Sequence, residues 1–136
     1  MKIRKYQPQD RNALIQLWQS VFPDDPPHNE PSRVIDLKLT VDDLIFVAEQ
    51  AGEFVGACIA GYDGHRGWLY AVAVAEPYRR KGTGTALVTS AMASLKALGC
   101  MKVNIQIRAT NKKVAAFYSA LGFSAEDRLS MGLLIG

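Results

Sequence analysis

The chain has 136 residues, of which 49% are apolar and 21% charged, with a formal net charge of +3. That is the size of one ordinary domain, residues 1–136, with enough apolar material for a core and too few charges for a disordered chain. The mild positive charge suits a small anionic ligand and lacks the dense basic face of a nucleic-acid groove, and no apolar run reaches the roughly 18 residues of a membrane span.

In chain order, KIRKY alternates and predicts a first strand, stopped by Pro8. QDRNALIQLWQSVF follows, with Leu14, Leu17, Trp18 and Val21 at the i, i+3, i+4, i+7 spacing of an amphipathic helix. PDDPPHNEP holds four of the six prolines and predicts a loop, after which SRVIDLKLT reads as a second helix capped by Ser32. LIFVAEQ, EFVGACIAGY and WLYAVAVA are apolar, β-branched runs. A tight turn at Ala51-Gly52 joins the first two, and GYDGHRG joins the second to the third, as an antiparallel meander. Beyond Pro77, Leu87, Val88, Ala91, Met92, Leu95 and Leu98 predict one apolar helix face ended by Gly99. MKVNIQIRA predicts a strand, and NKKVAAFYSALG a helix running from Asn111 to Gly122. FSAED and RLSMGLLI predict two closing strands. The expected class is α+β with a mixed sheet, in the order β-α-α-β-β-β-α-β-α-β-β, and a right-handed crossover makes the fourth and fifth strands parallel. Cys58 and Cys100 lie far apart without a C-x-x-C pattern, which predicts two buried, reduced thiols and no metal site. The opening MKIRKYQPQD has no apolar signal region, so a soluble, cytoplasmic protein is expected.

The chemistry concentrates in AVAVAEPYRRKGTGTALV, a strand, a basic glycine-containing loop and a helix start. Gly82 and Gly84 allow close backbone approach, the first N–H groups of the helix favour an anion, and Arg79, Arg80 and Lys81 add positive charge. The pattern predicts a diphosphate cradle, against the plainer reading of a basic loop that merely caps a helix. It is not a P-loop, since GxxxxGK[ST] is absent. Thr85-Ala86-Leu87 breaks the dinucleotide fingerprint GxGxxG, and no acid stands about 20 residues on to hold a ribose.

Arg79-x-x-Gly82-x-Gly84 resembles the [QR]-x-x-G-x-[GA] signature of the GNAT N-acetyltransferase superfamily. Asn111 with Ala115, Phe117-Tyr118 and Gly122-Phe123 is similar to its second motif, N-x-x-A-x-x-[FL]-Y-x-x-x-G-[FY]. Pro77 sits one place later than the superfamily's usual V-x-P. The resemblance covers nearly the whole chain and implies a GNAT-type fold with a V-shaped split between the fourth and fifth strands. It implies acetyl-CoA as co-substrate, with no metal. The pantetheine arm would meet the backbone of Val72, Ala73 and Val74, and the diphosphate would meet Arg79 and the N–H groups of Arg80, Lys81, Gly82, Thr83, Gly84 and Thr85. Asn111 would contact the pantetheine, cap its helix, or do both, and Tyr118 would protonate the departing thiolate, where a core tyrosine is the alternative. An N–H at a bulge in the fourth strand would steady the oxyanion.

The implied reaction is acetyl transfer to a primary amine, on a small molecule or a protein N-terminus, by a monomer or homodimer. The alternative is a CoA-binding module without turnover. That alternative draws on Gln106, an amide where the superfamily's ribosomal-protein alanine acetyltransferases carry a glutamate base, and on WLYAVAV, which has no acid. Glu49 is a candidate base, or else an edge-strand carboxylate. GYDGHRG resembles a phrase found in a group of small bacterial members of the superfamily, and it brings no acceptor with it. Asp63-Gly64 is a hairpin turn signal, which leaves a solvated rim as the plain reading. The sharper one makes Asp63, His65 and Arg66 the mouth of an acceptor site, with His65 as a base or relay and Arg66 a carboxylate partner.

Overall fold

Every alternating run in the first two thirds of the sequence forms a strand. The computed structural model describes residues 1–136 as two compact units, Met1–Gln106 and Ile107–Gly136. The first contains β1 (Lys2–Lys5), α1 (Arg11–Val21), α2 (Pro31–Val41), β2 (Ile45–Gln50), β3 (Glu53–Tyr62), β4 (Gly67–Val74), α3 (Thr83–Ala97) and β5 (Val103–Asn104). The second contains α4 (Lys112–Ala120). The sheet runs β1-β2-β3-β4-β5, antiparallel up to β4, with β5 parallel to it across the α3 crossover.

Side chains alternate across the sheet, and two helices read the two faces. Ile45, Ala57, Ile59 and Ala73 pack with Leu14, Leu17 and Trp18 of α1 and Ile35 of α2. From the other face of β3, the Cys58 thiol meets the Leu87 carbonyl of α3, and a methyl group at Gly56 would lie 3.2 Å from the Leu87 side chain. Ala51 and Gly52 both have positive φ, the requirement of a two-residue hairpin turn between β2 and β3. At the first strand, Arg4 donates to both oxygens of Asp10 (2.7 and 2.8 Å) and to Glu49 on β2 (2.5 Å). The bonds from Arg4, against burial and aided by the Gln7 N–H, hold the Asp10 carboxyl below its ordinary range.

Four expectations are corrected. The cap of α2 is Glu30, whose carboxylate accepts from the backbone N–H groups of Ser32 and Arg33, so Ser32 lies inside the first turn. Leu98 falls beyond the end of α3 and is exposed. Cys100 is only partly buried, although Cys58 is fully buried, its thiol pushed up to about 12 by desolvation. The largest difference lies at the C-terminus, where neither FSAED nor RLSMGLLI forms a strand. Alternation makes a strand only where a neighbour completes the backbone ladder, and the second unit contains no strand to do so. Leu129 and Ile135 there are 93% and 95% exposed.

Candidate active site

β4 is irregular at the position where the sequence looks most regular. Ala57 pairs with Ala73, yet Ile59 pairs with Tyr70, so Ala71 and Val72 together oppose the single residue Cys58. This is a β-bulge, and Ala71 takes φ of 50°, the left-handed region that an L-residue enters at a cost of about 1–2 kcal/mol. The extra residue switches which side chains share a face. Trp68 and Tyr70 lie on the Ile59 face before it, and Ala73 lies on that face after it. The turned-out carbonyl of Ala71 has a partner from outside the sheet, because the buried indole of Trp18 donates to it from α1 at 3.2 Å.

β4 and β5 part early. Only Gly67↔Val103 and Trp68↔Asn104 are paired, and Ile105 and Gln106 lie outside any strand. The expected nine-residue strand is therefore two residues long. From Leu69 to Val74, the β4 edge facing away from β3 carries no strand. That open edge leads to a turn at Glu76–Tyr78 and then to the basic loop. Arg79 is drawn back to the strand, its Nε donating to the Val74 carbonyl at 2.9 Å. Arg80 and Gly82 both have positive φ, and Gly82 occupies the cap position of α3. Successive N–H groups in such a turn form a concavity suited to an anion, and the helix dipole adds to it. Arg80, Lys81 and Thr85 are exposed, Gly84 is partly exposed, and Thr83 is buried, locking the first turn of α3. A strand edge that offers unladdered backbone, followed by a cationic turn, has the donors that an amide-bearing arm ending in a diphosphate requires. No group of three or more His, Cys, Asp or Glu side chains gathers as a metal site would.

The GYDGHRG hairpin sits at the other end of β4, and most of it is accounted for by the turn. One oxygen of Asp63 accepts the backbone N–H groups of His65 (2.8 Å) and Arg66 (2.7 Å). The same bonds, Arg66 first, lower the Asp63 pKa from the ordinary carboxylate value. Gly64 has φ of 89°, and a methyl group at buried Gly67 would stand 2.7 Å from the Cys100 sulfur. His65 is left to solvent and Arg66 is half-buried, its guanidinium 3.4 Å from the imidazole Nδ1 and donating to the His65 carbonyl at 3.1 Å. Trp68 and Tyr70 continue from the hairpin along β4 as a stacked pair, ring centroids 6.4 Å apart. At about 3.3 Å per residue, His65 lies roughly 20 Å along the strand from Val72. A proton acceptor must be within hydrogen-bond reach of the reacting group, or one water away. His65 does not meet that condition at Val72. Glu49, on β2 and so two strands from β4, is held by Arg4 of β1.

In the second unit, the Asn111 side chain accepts the Val114 N–H at 3.2 Å, which makes it the cap of α4. Tyr118 is buried, with Phe117 and Phe123 set edge-on to its ring at 4.9 and 5.4 Å. The resemblance implied a bulge in the fourth strand, but the sequence reading missed its position at Ala71, the bond from Trp18 and the Trp68–Tyr70 pair. An aromatic pair at i, i+2 in a strand was a visible signal for the last.

Residues 11–123 match the model of the Acetyltransferase (GNAT) family. An acetyltransferase of Sodalis glossinidius is 39% identical over 100% of this chain and 94% of its own length. Among solved structures, the ribosomal-protein alanine N-acetyltransferase of Escherichia coli superposes with a TM-score of 0.76 at 24% identity, over 90% of this chain and 77% of that one. AAC(6')-Iy, solved with the bisubstrate analogue CoA-S-monomethyl-acetylneamine, gives 0.79 at 18% identity over 99% and 98%. The five-stranded mixed sheet with four helices is the fold these structures share, and the chain belongs to the acetyltransferase (GNAT) family, as an enzyme of that acyl-transferring class.

Proposed function

We propose that the protein is an acetyl-CoA-dependent N-acetyltransferase that acts on a primary amine by direct attack. The observation that carries this reading is the β4 edge, bulged at Ala71 and open from Leu69 to Val74, which leads into the Arg79–Thr85 turn at the start of α3. Acetyl-CoA supplies the activated acetyl group. The backbone of Val72, Ala73 and Val74 holds the pantetheine amides as a neighbouring strand would. The N–H groups of Arg80 to Thr85, with the Arg80 and Lys81 side chains, hold the diphosphate. Tyr118 delivers its phenolic proton to the sulfur, and Asn111 serves the site by capping the helix that carries Tyr118. The family match at residues 11–123 includes parts of both compact units, which supports one acetyltransferase domain over residues 1–136.

β4 carries no carboxylate or imidazole, and His65 is too distant to act at Val72, so the amine gives up its proton to water before attack. Asp63, His65, Arg66 and the Trp68–Tyr70 pair then contact the body of the acceptor. An acceptor that reaches from Val72 to the hairpin is extended by about 20 Å, which favours a peptide N-terminus over a compact amine. CoA-thiol release against a panel of peptides and small amines tests the reading. The expected result is turnover whose kcat/KM rises about tenfold per pH unit below the acceptor's own amine pKa. Acetyl-CoA binding with no thiol release on any amine would select the non-catalytic module instead.

A further inference from the structure

We propose that Trp18 is a positioning residue for acetyl transfer: its indole N–H, bonded to the Ala71 carbonyl, sets the orientation of the bulge peptide that presents the β4 amides to the thioester. The inference rests on the acetyl-CoA reading above. A bulge peptide in mid-strand has lost part of its ladder, so its direction must be fixed from elsewhere. Ala71 has no intrinsic preference for φ of 50° and needs an external restraint to remain there. Trp18 provides one. It is 4% exposed, anchored among Leu14, Leu17, Ile35, Ile59 and Ala73, and its indole N–H meets the Ala71 oxygen at 3.2 Å. The chain has no cis peptide bonds, and in a trans peptide the C=O and the following N–H point in opposite directions. Fixing the Ala71 carbonyl toward α1 therefore aims the Val72 N–H away from α1. The bond thus does more than fill the core. It determines where the first amide beyond the bulge points, and Ala73 and Val74 follow in register. A phenylalanine would fill most of the same space and leave the Ala71 carbonyl without its donor.

Amide hydrogen exchange by NMR on the full chain, with and without acetyl-CoA, tests this in wild type and Trp18→Phe. Without ligand, the Val72 and Ala73 amides of the variant should exchange at least tenfold faster than in wild type, while paired β2–β3 amides such as Val47 and Ala57 stay within twofold. With saturating acetyl-CoA, these amides should gain at least tenfold protection in wild type and less than threefold in the variant. Where Trp18→Phe fails to fold, benzothienylalanine at position 18 in a Trp68→Phe background keeps the shape of the indole and removes only the N–H; Trp68→Phe alone is its reference. Equal exchange and equal acetyl-CoA protection with and without the N–H overturn the role of Trp18 alone. Acetyl-CoA that protects no amide in the wild-type chain overturns the acetyl-CoA reading, and this inference with it.

Discussion

The two ends of β4 solve opposite problems. At the hairpin end the backbone is satisfied from within. Asp63 accepts two turn amides, Gly64 takes the left-handed conformation, Gly67 lets Cys100 and Leu95 approach, and β5 completes the ladder at Gly67 and Trp68. At the other end the backbone is left with unmet geometry. The strand bulges, β5 departs, and an arginine and a glycine hold positive φ in a basic turn. Backbone left open beside a cationic turn suits a ligand, whereas backbone closed by its own side chains suits stability. Substitutions at the open end should therefore change acetyl-CoA binding with little effect on folding, and those at the closed end should change stability with little effect on acetyl-CoA binding.

The largest expected effect belongs to Tyr118, the proposed proton donor. Tyr118→Phe keeps the aromatic cluster with Phe117 and Phe123 and removes the hydroxyl, and should lower kcat by about 10²- to 10⁴-fold with acetyl-CoA affinity nearly unchanged. Equal loss of kcat and of acetyl-CoA affinity would point to a packing role instead. Next comes the basic turn. Arg80→Ala combined with Lys81→Ala should weaken CoA binding by about 10- to 30-fold, at about 1 kcal/mol for each cation, and flatten its salt dependence, as isothermal titration at two ionic strengths would show. Melting temperature should barely move, because both side chains are exposed.

At the closed end, Gly67→Ala should cost about 1–3 kcal/mol of stability by pressing on Cys100, measured by urea unfolding, while CoA affinity of the folded fraction is kept. The smallest effect is Asp63→Ala, a modest fall in Tm at neutral pH. The sign follows from the carboxylate's lowered pKa. Its contribution is present above the ordinary aspartate value near 4 and is lost as pH falls through the lower folded value. Wild-type and variant melting temperatures should therefore draw together as pH falls below the ordinary aspartate value; a gap that stays constant through that fall would mean that the carboxylate charge is not what the turn uses.

Much of this contrast was legible in the residues. The bounds of β3 and the β2–β3 turn follow from alternation and from Ala51-Gly52, and α3 follows from its apolar stripe. The basic turn could be placed because glycine and arginine mark it directly. The bulge could not, because AVAV alternates without interruption, and alanine, a poor left-handed residue, gives no local warning. The restraint on Ala71 is tertiary and comes from Trp18, whose helical spacing marks it only as core. The reason for Gly67 lies elsewhere in the chain, at Cys100 and Leu95, so GYDGHRG alone does not reveal it. The closing strands fail as an expectation for a related reason, since alternation is local while a ladder needs a partner.

In the proposed complex, acetyl-CoA occupies the open end of β4 and leaves the hairpin untouched. A ¹⁵N–¹H correlation spectrum of the full chain, titrated with acetyl-CoA, tests it directly. Large shifts are expected for the amides of Val72 to Val74 and Arg80 to Thr85, and shifts near zero for Asp63 to Gly67. Shifts concentrated on Asp63 to Gly67, or none along either stretch at saturating ligand, would contradict it.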